Sequence, residues 1–93
     1  MNDAQEKAKK EYLEVLGYHG EIEFIYNGHF YHIEPTEEGD GEIYGIWRYD
    51  DKTGCGGKMI ARCTPPETIL EEKIFDGKTI LEIEGEMTDC ILR

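Results

Sequence analysis

The stretch Gly20–Glu34, GEIEFIYNGHFYHIE, leaves the chain little freedom in what it can become. Asn27-Gly28 falls between two alternating apolar runs. A two-residue type I′ turn needs positive φ at both central positions, and Asn-Gly is among the pairs that meet this need most cheaply. So short a turn fixes the register. Tyr26 is expected opposite His29, Ile25 opposite Phe30, Phe24 opposite Tyr31, Glu23 opposite His32 and Ile22 opposite Ile33. Side chains alternate across a sheet, so Ile22, Phe24, Tyr26, His29, Tyr31 and Ile33 share one mostly apolar face. Glu21, Glu23, His32 and Glu34 share the other, with Ile25 and Phe30 near the turn.

A lone hairpin is marginal in water, so the rest of the chain must cover it. Residues 3–16 form the first candidate. Ala4, Ala8, Tyr12, Val15 and Leu16 recur at helical spacing, Asp3 suits the N-cap and Gly17 the C-cap. Glu42–Tyr49 (EIYGIWRY) reads as a third strand from its aromatic and β-branched content. In it Ile43, Trp47 and Tyr49 share one side, and Tyr44 and Ile46 the other. Asp50–Lys58 is a glycine-rich loop and 59–63 a short fourth strand. Thr64-Pro65-Pro66-Glu67 resembles a helix start, with Thr64 capping and Glu67 closing the box, for a short helix near 65–73. Residues 77–84 fit a short helix capped by Asp76 or a strand. The helix is favoured, followed by a last strand at 88–92. The expectation is one α+β domain over 1–93: an N-terminal helix on a small antiparallel sheet made of the hairpin 20–34 and the strand 42–49.

The hairpin, together with Asp76-Gly77-Lys78-Thr79-Ile80-x-x-Ile83, resembles a family of small uncharacterised proteins from Firmicutes, their phages and mobile elements. Its members carry E-I-E-F-x-Y-N-G-x-x-Y-x-I early and D-G-K-T-L-x-E-I late. The resemblance implies the fold, a helical reading of 77–84 and a bacterial or phage origin. It implies no activity.

Charge narrows the function classes. The 93 residues hold 21 acidic and 10 basic side chains, for a net charge of −11. A direct nucleic-acid binder needs a basic footprint, and an anionic membrane surface would repel this chain. Cys55, Cys63 and Cys90 form no C-x-x-C pair, the N-terminal segment does not resemble a signal peptide, and no apolar run approaches a membrane span. A reducing, cytoplasmic setting is expected.

Chemical motifs are weak. His29 and His32 lie three apart in one strand and so point to opposite faces. The cysteines lack zinc-ligand spacing. The loop Thr53-Gly54-Cys55-Gly56-Gly57-Lys58 fails the P-loop pattern, because Met59 follows Lys58 and no helix opens there. Cys55 has lysines but no histidine near it in sequence. Neither catalysis, a cofactor nor a metal is expected.

The acidic middle is the suggestive feature. Residues 34–53 carry seven acidic side chains and two basic ones. Glu34, Glu37, Glu38, Asp40, Glu42, Asp50 and Asp51 flank a strand bearing Trp47. Carboxylates around an aromatic anchor suit a basic protein surface: charge steers and the ring anchors. The expected role is a non-catalytic acidic binding protein, in its specific form a phage or mobile-element inhibitor that blocks the nucleic-acid groove of a host defence enzyme in the manner of an anti-CRISPR protein. Two other readings stay open. One is a pocket that sequesters a small molecule or nucleotide signal, and the other is a structural homo-oligomer.

Overall fold

The structure is a computed structural model that describes residues 2–51 and 53–93, with the side chains at 39 and 40 excepted. Helix α1 spans Asp3–Gly17. Strands follow at β1 Ile22–Tyr26, β2 His29–Pro35, β3 Tyr44–Tyr49, β4 Lys58–Cys63 and β5 Thr88–Leu92. The sheet is antiparallel throughout, in the order β4-β3-β2-β1-β5.

The hairpin has the register that its turn dictates, from Tyr26 against His29 to Ile22 against Ile33. Asn27 and Gly28 take φ of 52° and 81°, as a type I′ turn requires. One face of the sheet is closed. Ala8, Tyr12, Val15 and Leu16 of α1 join Ile22, Phe24, Tyr31, Ile33, Tyr44 and Ile46 in one buried cluster. Ile69, Phe75, Ile80, Leu81 and Ile83, from the segment between β4 and β5, complete it. Phe75 meets both Phe24 and Tyr31 edge-on, at centroid distances of 5.5 and 5.2 Å. The Tyr44 hydroxyl donates to the Gly20 carbonyl at 2.7 Å inside this core. The Tyr31 hydroxyl is buried and has no partner among the described residues.

Five expectations change. Asn2, not Asp3, caps α1. Its side chain accepts from the Gln5 amide at 2.8 Å, and Gln5 reaches back to the Asn2 amide at 3.1 Å. Asn caps as well as Asp, and Gln5, three residues on, closes a capping box with it. The helix also runs through Gly17, with Tyr18 as its C-cap.

Thr64 does not cap the second helical stretch, which is a 3-10 turn at Pro66–Leu70 with Pro65 extended before it. The residue before a proline is pushed out of the helical region, so Pro66 holds Pro65 outside the helix. Thr68 then donates its hydroxyl to the Pro65 carbonyl at 2.8 Å.

Asp76-Gly77 does not start a helix. With φ of 54° and 80°, the pair forms a second type I′ turn, closing a bridge between Phe75 and Lys78. The capping residue is Thr79. Its hydroxyl accepts from the Glu82 amide at 3.2 Å, and its own amide donates to the Glu82 carboxylate at 2.9 Å. Successive turns follow and end in a 3-10 turn at Glu84–Glu86. Ile80, Leu81 and Ile83 are thus delivered to the core without an α-helix. The third strand begins at Tyr44, two residues later than expected from the sequence.

Candidate functional site: the open face of the sheet

Among the described residues the other face of the sheet carries no α-helix, and pairing determines what stands on it. Residues directly opposed in neighbouring strands point the same way. His32 opposes Trp47 across β2 and β3, and Trp47 opposes Met59 across β3 and β4. On the other side His32 opposes Glu23, which opposes Ile91 of β5. The middle row therefore reads Met59, Trp47, His32, Glu23, Ile91. Towards the Asn27-Gly28 turn a second row holds Tyr49, Phe30, Ile25 and Thr88. Towards the opposite end a third holds Arg62, Gly45, Glu34 and Glu21. Arg93 completes this third row by exchanging two backbone hydrogen bonds with Glu21.

The aromatic part is pre-shaped. The Phe30 ring lies 5.4 Å from that of Tyr49 and 6.4 Å from that of His32, centroid to centroid. The Trp47 indole reaches Gly45, where an added Cβ would come within 3.3 Å of its Nε1 and of the Thr36 methyl and 2.9 Å of the Met59 methyl. Tyr49 lies over Gly57 in the same way, and a Cβ there would overlap its ring. A glycine inside a strand often marks a close approach of this kind. Phe30, Trp47 and Tyr49 are all half-buried, and Met59 and Ile91 are exposed.

The charged part is crowded. The His32 Nε2 lies 2.6 Å from Glu21, 3.7 Å from Glu34 and 3.9 Å from Glu23. Arg93 pairs with Glu23 and lies 3.7 Å from Glu21. Glu23 is only 8% exposed, so the guanidinium compensates a carboxylate that water barely reaches. Among the described residues, Glu21, His32 and Glu34 are the one group whose potential ligand atoms converge, all within 4.8 Å. Arg93 supplies positive charge on this side, and within the group His32 is hydrogen-bonded to Glu21.

The residues singled out by sequence divide. Trp47 and Glu34 come together on this face, because Glu34 opposes Gly45, the seat of the indole. Glu38 stands at its rim, paired with Arg62. Glu37 is exposed on the connector, and Glu42 lies 3.6 Å from His19. The Asp40 side chain lies outside the described residues. Asp50 and Asp51 sit at the far end of β3, where the Thr53 hydroxyl and amide bond to Asp51 and hold its carboxyl below the usual range. The acids thus flank both ends of the strand rather than one side. Glu21, Glu23, Phe30 and Tyr49 join the site without having been chosen.

Other candidate features lie apart from this face. Cys55, Cys63 and Cys90 are free thiols. Burial pushes Cys63 up, away from the thiolate that nucleophilic chemistry needs. The glycine-rich loop joins β3 to β4, and Lys58 opens a strand rather than a helix. An open recess of about 380 Å³ lies beside the two type I′ turns, lined by Tyr26, Asn27, Asp76, Lys78 and Glu86. Among the described residues no helix is long and apolar enough to cross a membrane. No protein-family model, curated protein or solved structure matches the chain.

Proposed function

We propose that this chain is a non-catalytic binding protein that engages a basic protein surface through the open face of its sheet. One observation carries the reading: a face without a helix holds Phe30, Trp47 and Tyr49 beside a row containing Glu21 and Glu34. Aromatic anchors near the centre of a patch, with charge around them, are the usual composition of a binding hot spot. The net charge of −11 selects the sign of the partner. Surfaces that bind nucleic acid are basic for the same reason, so a nucleic-acid-binding enzyme is the class of partner favoured. In its sharpest form the protein is a phage or mobile-element inhibitor occupying such a groove, the origin resting on the resemblance of its hairpin motif.

The experiment measures association with purified basic nucleic-acid-binding enzymes, RNA-guided nucleases among them, with and without their nucleic acid. Binding should be displaced by the cognate nucleic acid and should weaken as salt screens the charges. Reversing Glu34, Glu37 and Glu38 to lysine should abolish it. Binding that ignores both salt and the triple reversal would overturn the proposal.

A further inference from the structure

We infer that Glu21, His32 and Glu34 form a binding site for a divalent transition-metal ion of the zinc type. The inference goes beyond the binding role proposed above and does not depend on it.

The donor set follows from the hairpin. His29 and His32 point to opposite faces, so the neighbours of His32 on its own face are carboxylates. Glu34 lies two positions along β2, and side chains two apart in a strand share a face. Glu21 lies one step beyond the pair Ile22 and Ile33, which sets it beside Glu34. The Asn27-Gly28 turn fixes both relations, so backbone pairing brings the three donors together.

The distances suit a small ion. The potential donor atoms of the three residues lie within 4.8 Å of one another. The His32 Nε2 stands 2.6 Å from the Glu21 Oε1 and 3.7 Å from the Glu34 Oε2. Tetrahedral zinc, with bonds to nitrogen and oxygen of about 2.1 Å, holds its donors about 3.4 Å apart, between those two separations. Both carboxylates are half-buried, and movements on the order of 1 Å would bring the set to that spacing.

Charge favours the ion, and the imidazole selects its class. Glu21, Glu23 and Glu34 approach the His32 ring nitrogen at 2.6, 3.9 and 3.7 Å. Against them stands the Arg93 guanidinium, paired with Glu23. Three carboxylates less one guanidinium leave two negative charges around a neutral imidazole, and a divalent ion cancels both. Calcium and magnesium prefer shells of oxygen alone, whereas a mixed imidazole and carboxylate set suits zinc and its transition-metal neighbours. Three protein donors leave a fourth position for water, as in open zinc sites.

The test titrates the full chain with ZnCl₂ and follows the ring nitrogens of its histidines by NMR, together with the thermal midpoint. One equivalent of Zn²⁺ should shift the His32 Nε2 resonance, leave His19 and His29 in place, and raise the midpoint. Glu34→Gln should weaken uptake about tenfold or more, since even partners outside the ligand shell are worth that much. His32→Gln should abolish it. CaCl₂ and MgCl₂ at the same concentration should give no response, and one as strong as that to zinc would overturn the transition-ion assignment. Unchanged His32 resonances at saturating Zn²⁺ would overturn the site. So would uptake that survives Glu34→Gln at full affinity, or uptake that is lost instead with Cys55→Ser, which removes an exposed thiol. The wild-type resonances decide the matter even where a variant is destabilised.

Discussion

The two faces of the sheet are built from the same strands and obey opposite rules. The closed face is packed by shape. Phe24, Tyr31, Tyr44 and Ile46 are fully buried, and nearly every neighbour is apolar. The open face is arranged by register. It sets Phe30 beside Tyr49, Glu34 beside the Trp47 seat and Glu23 beneath Arg93. Stability therefore concentrates on the first face, and the binding role proposed above falls to the second. Aromatic residues serve both ends: as filling on one side, and as half-buried rings that reach over glycines on the other.

The largest expected effect breaks the comparison on its stability side. Phe24→Ala should cost about 3–5 kcal/mol, the usual loss for a buried aromatic. Phe30→Ala, on the half-buried face, should cost about 1 kcal/mol while weakening association with a basic partner. Urea unfolding followed by circular dichroism separates the two, and equal costs would refute the division of labour.

The next effect concerns pH. Burial pushes the Tyr44 phenol up to about 12, and Tyr12 and Tyr31 are raised for the same reason. A group whose folded pKa lies above its unfolded value stabilises the fold fully below the unfolded pKa, near 10 for tyrosine. That contribution is lost as pH rises from there through the folded value. Midpoints of urea unfolding should hold steady up to about pH 9.5 and fall steeply beyond it. A flat profile to pH 12 would contradict burial of these hydroxyls.

A smaller contrast lies inside the closed face itself. Tyr44→Phe removes the hydrogen bond to Gly20 and leaves that carbonyl unsatisfied, for a loss of about 1–2 kcal/mol. Tyr31→Phe removes a buried hydroxyl that has no partner among the described residues, so it should be neutral or stabilising. Arg48 stands near enough to the Tyr31 phenol to work against its upward shift, yet closes no hydrogen bond with it. If Tyr31→Phe destabilises as much as Tyr44→Phe, that hydroxyl has a partner after all.

The smallest effect sharpens the recognition side. Gly45→Ala adds a methyl that meets the flexible end of Met59 at 2.9 Å and the indole at 3.3 Å. Stability should change by less than about 1 kcal/mol, because alanine loses less backbone entropy than glycine and offsets the crowding. The indole should lift, and the Trp47 emission should shift without unfolding.

Much of this was legible from residues 20–34. The Asn27-Gly28 turn set the hairpin register, and with it the side of each glutamate. The helix was readable from its periodicity. What could not be read was how β3 meets the hairpin. An eight-residue connector, 36–43, imposes no register of its own, so Trp47 and Tyr49 shared a side with no indication of which. The glycine at 45 was the available signal, since a glycine in the middle of a strand often marks a close approach. Asp76-Gly77 misled because the same dipeptide can end a strand or precede a helix. Its positive φ values, like those of Asn27-Gly28, mark the turn. The two turns even touch, Asn27 donating to Asp76 at 2.9 Å. Arg93 was invisible as a site residue because its partner Glu23 lies seventy positions away in sequence.

The central claim, that recognition belongs to the face without a helix, is tested most directly by backbone amide chemical shifts of the labelled chain as nona-arginine is added. Perturbations should map onto Phe30, His32, Glu34, Gly45, Trp47 and Tyr49, and leave Ala8, Tyr12 and Val15 of α1 unmoved. Shifts confined to α1, or to the segment between β4 and β5, would place the binding surface on the other side of the molecule.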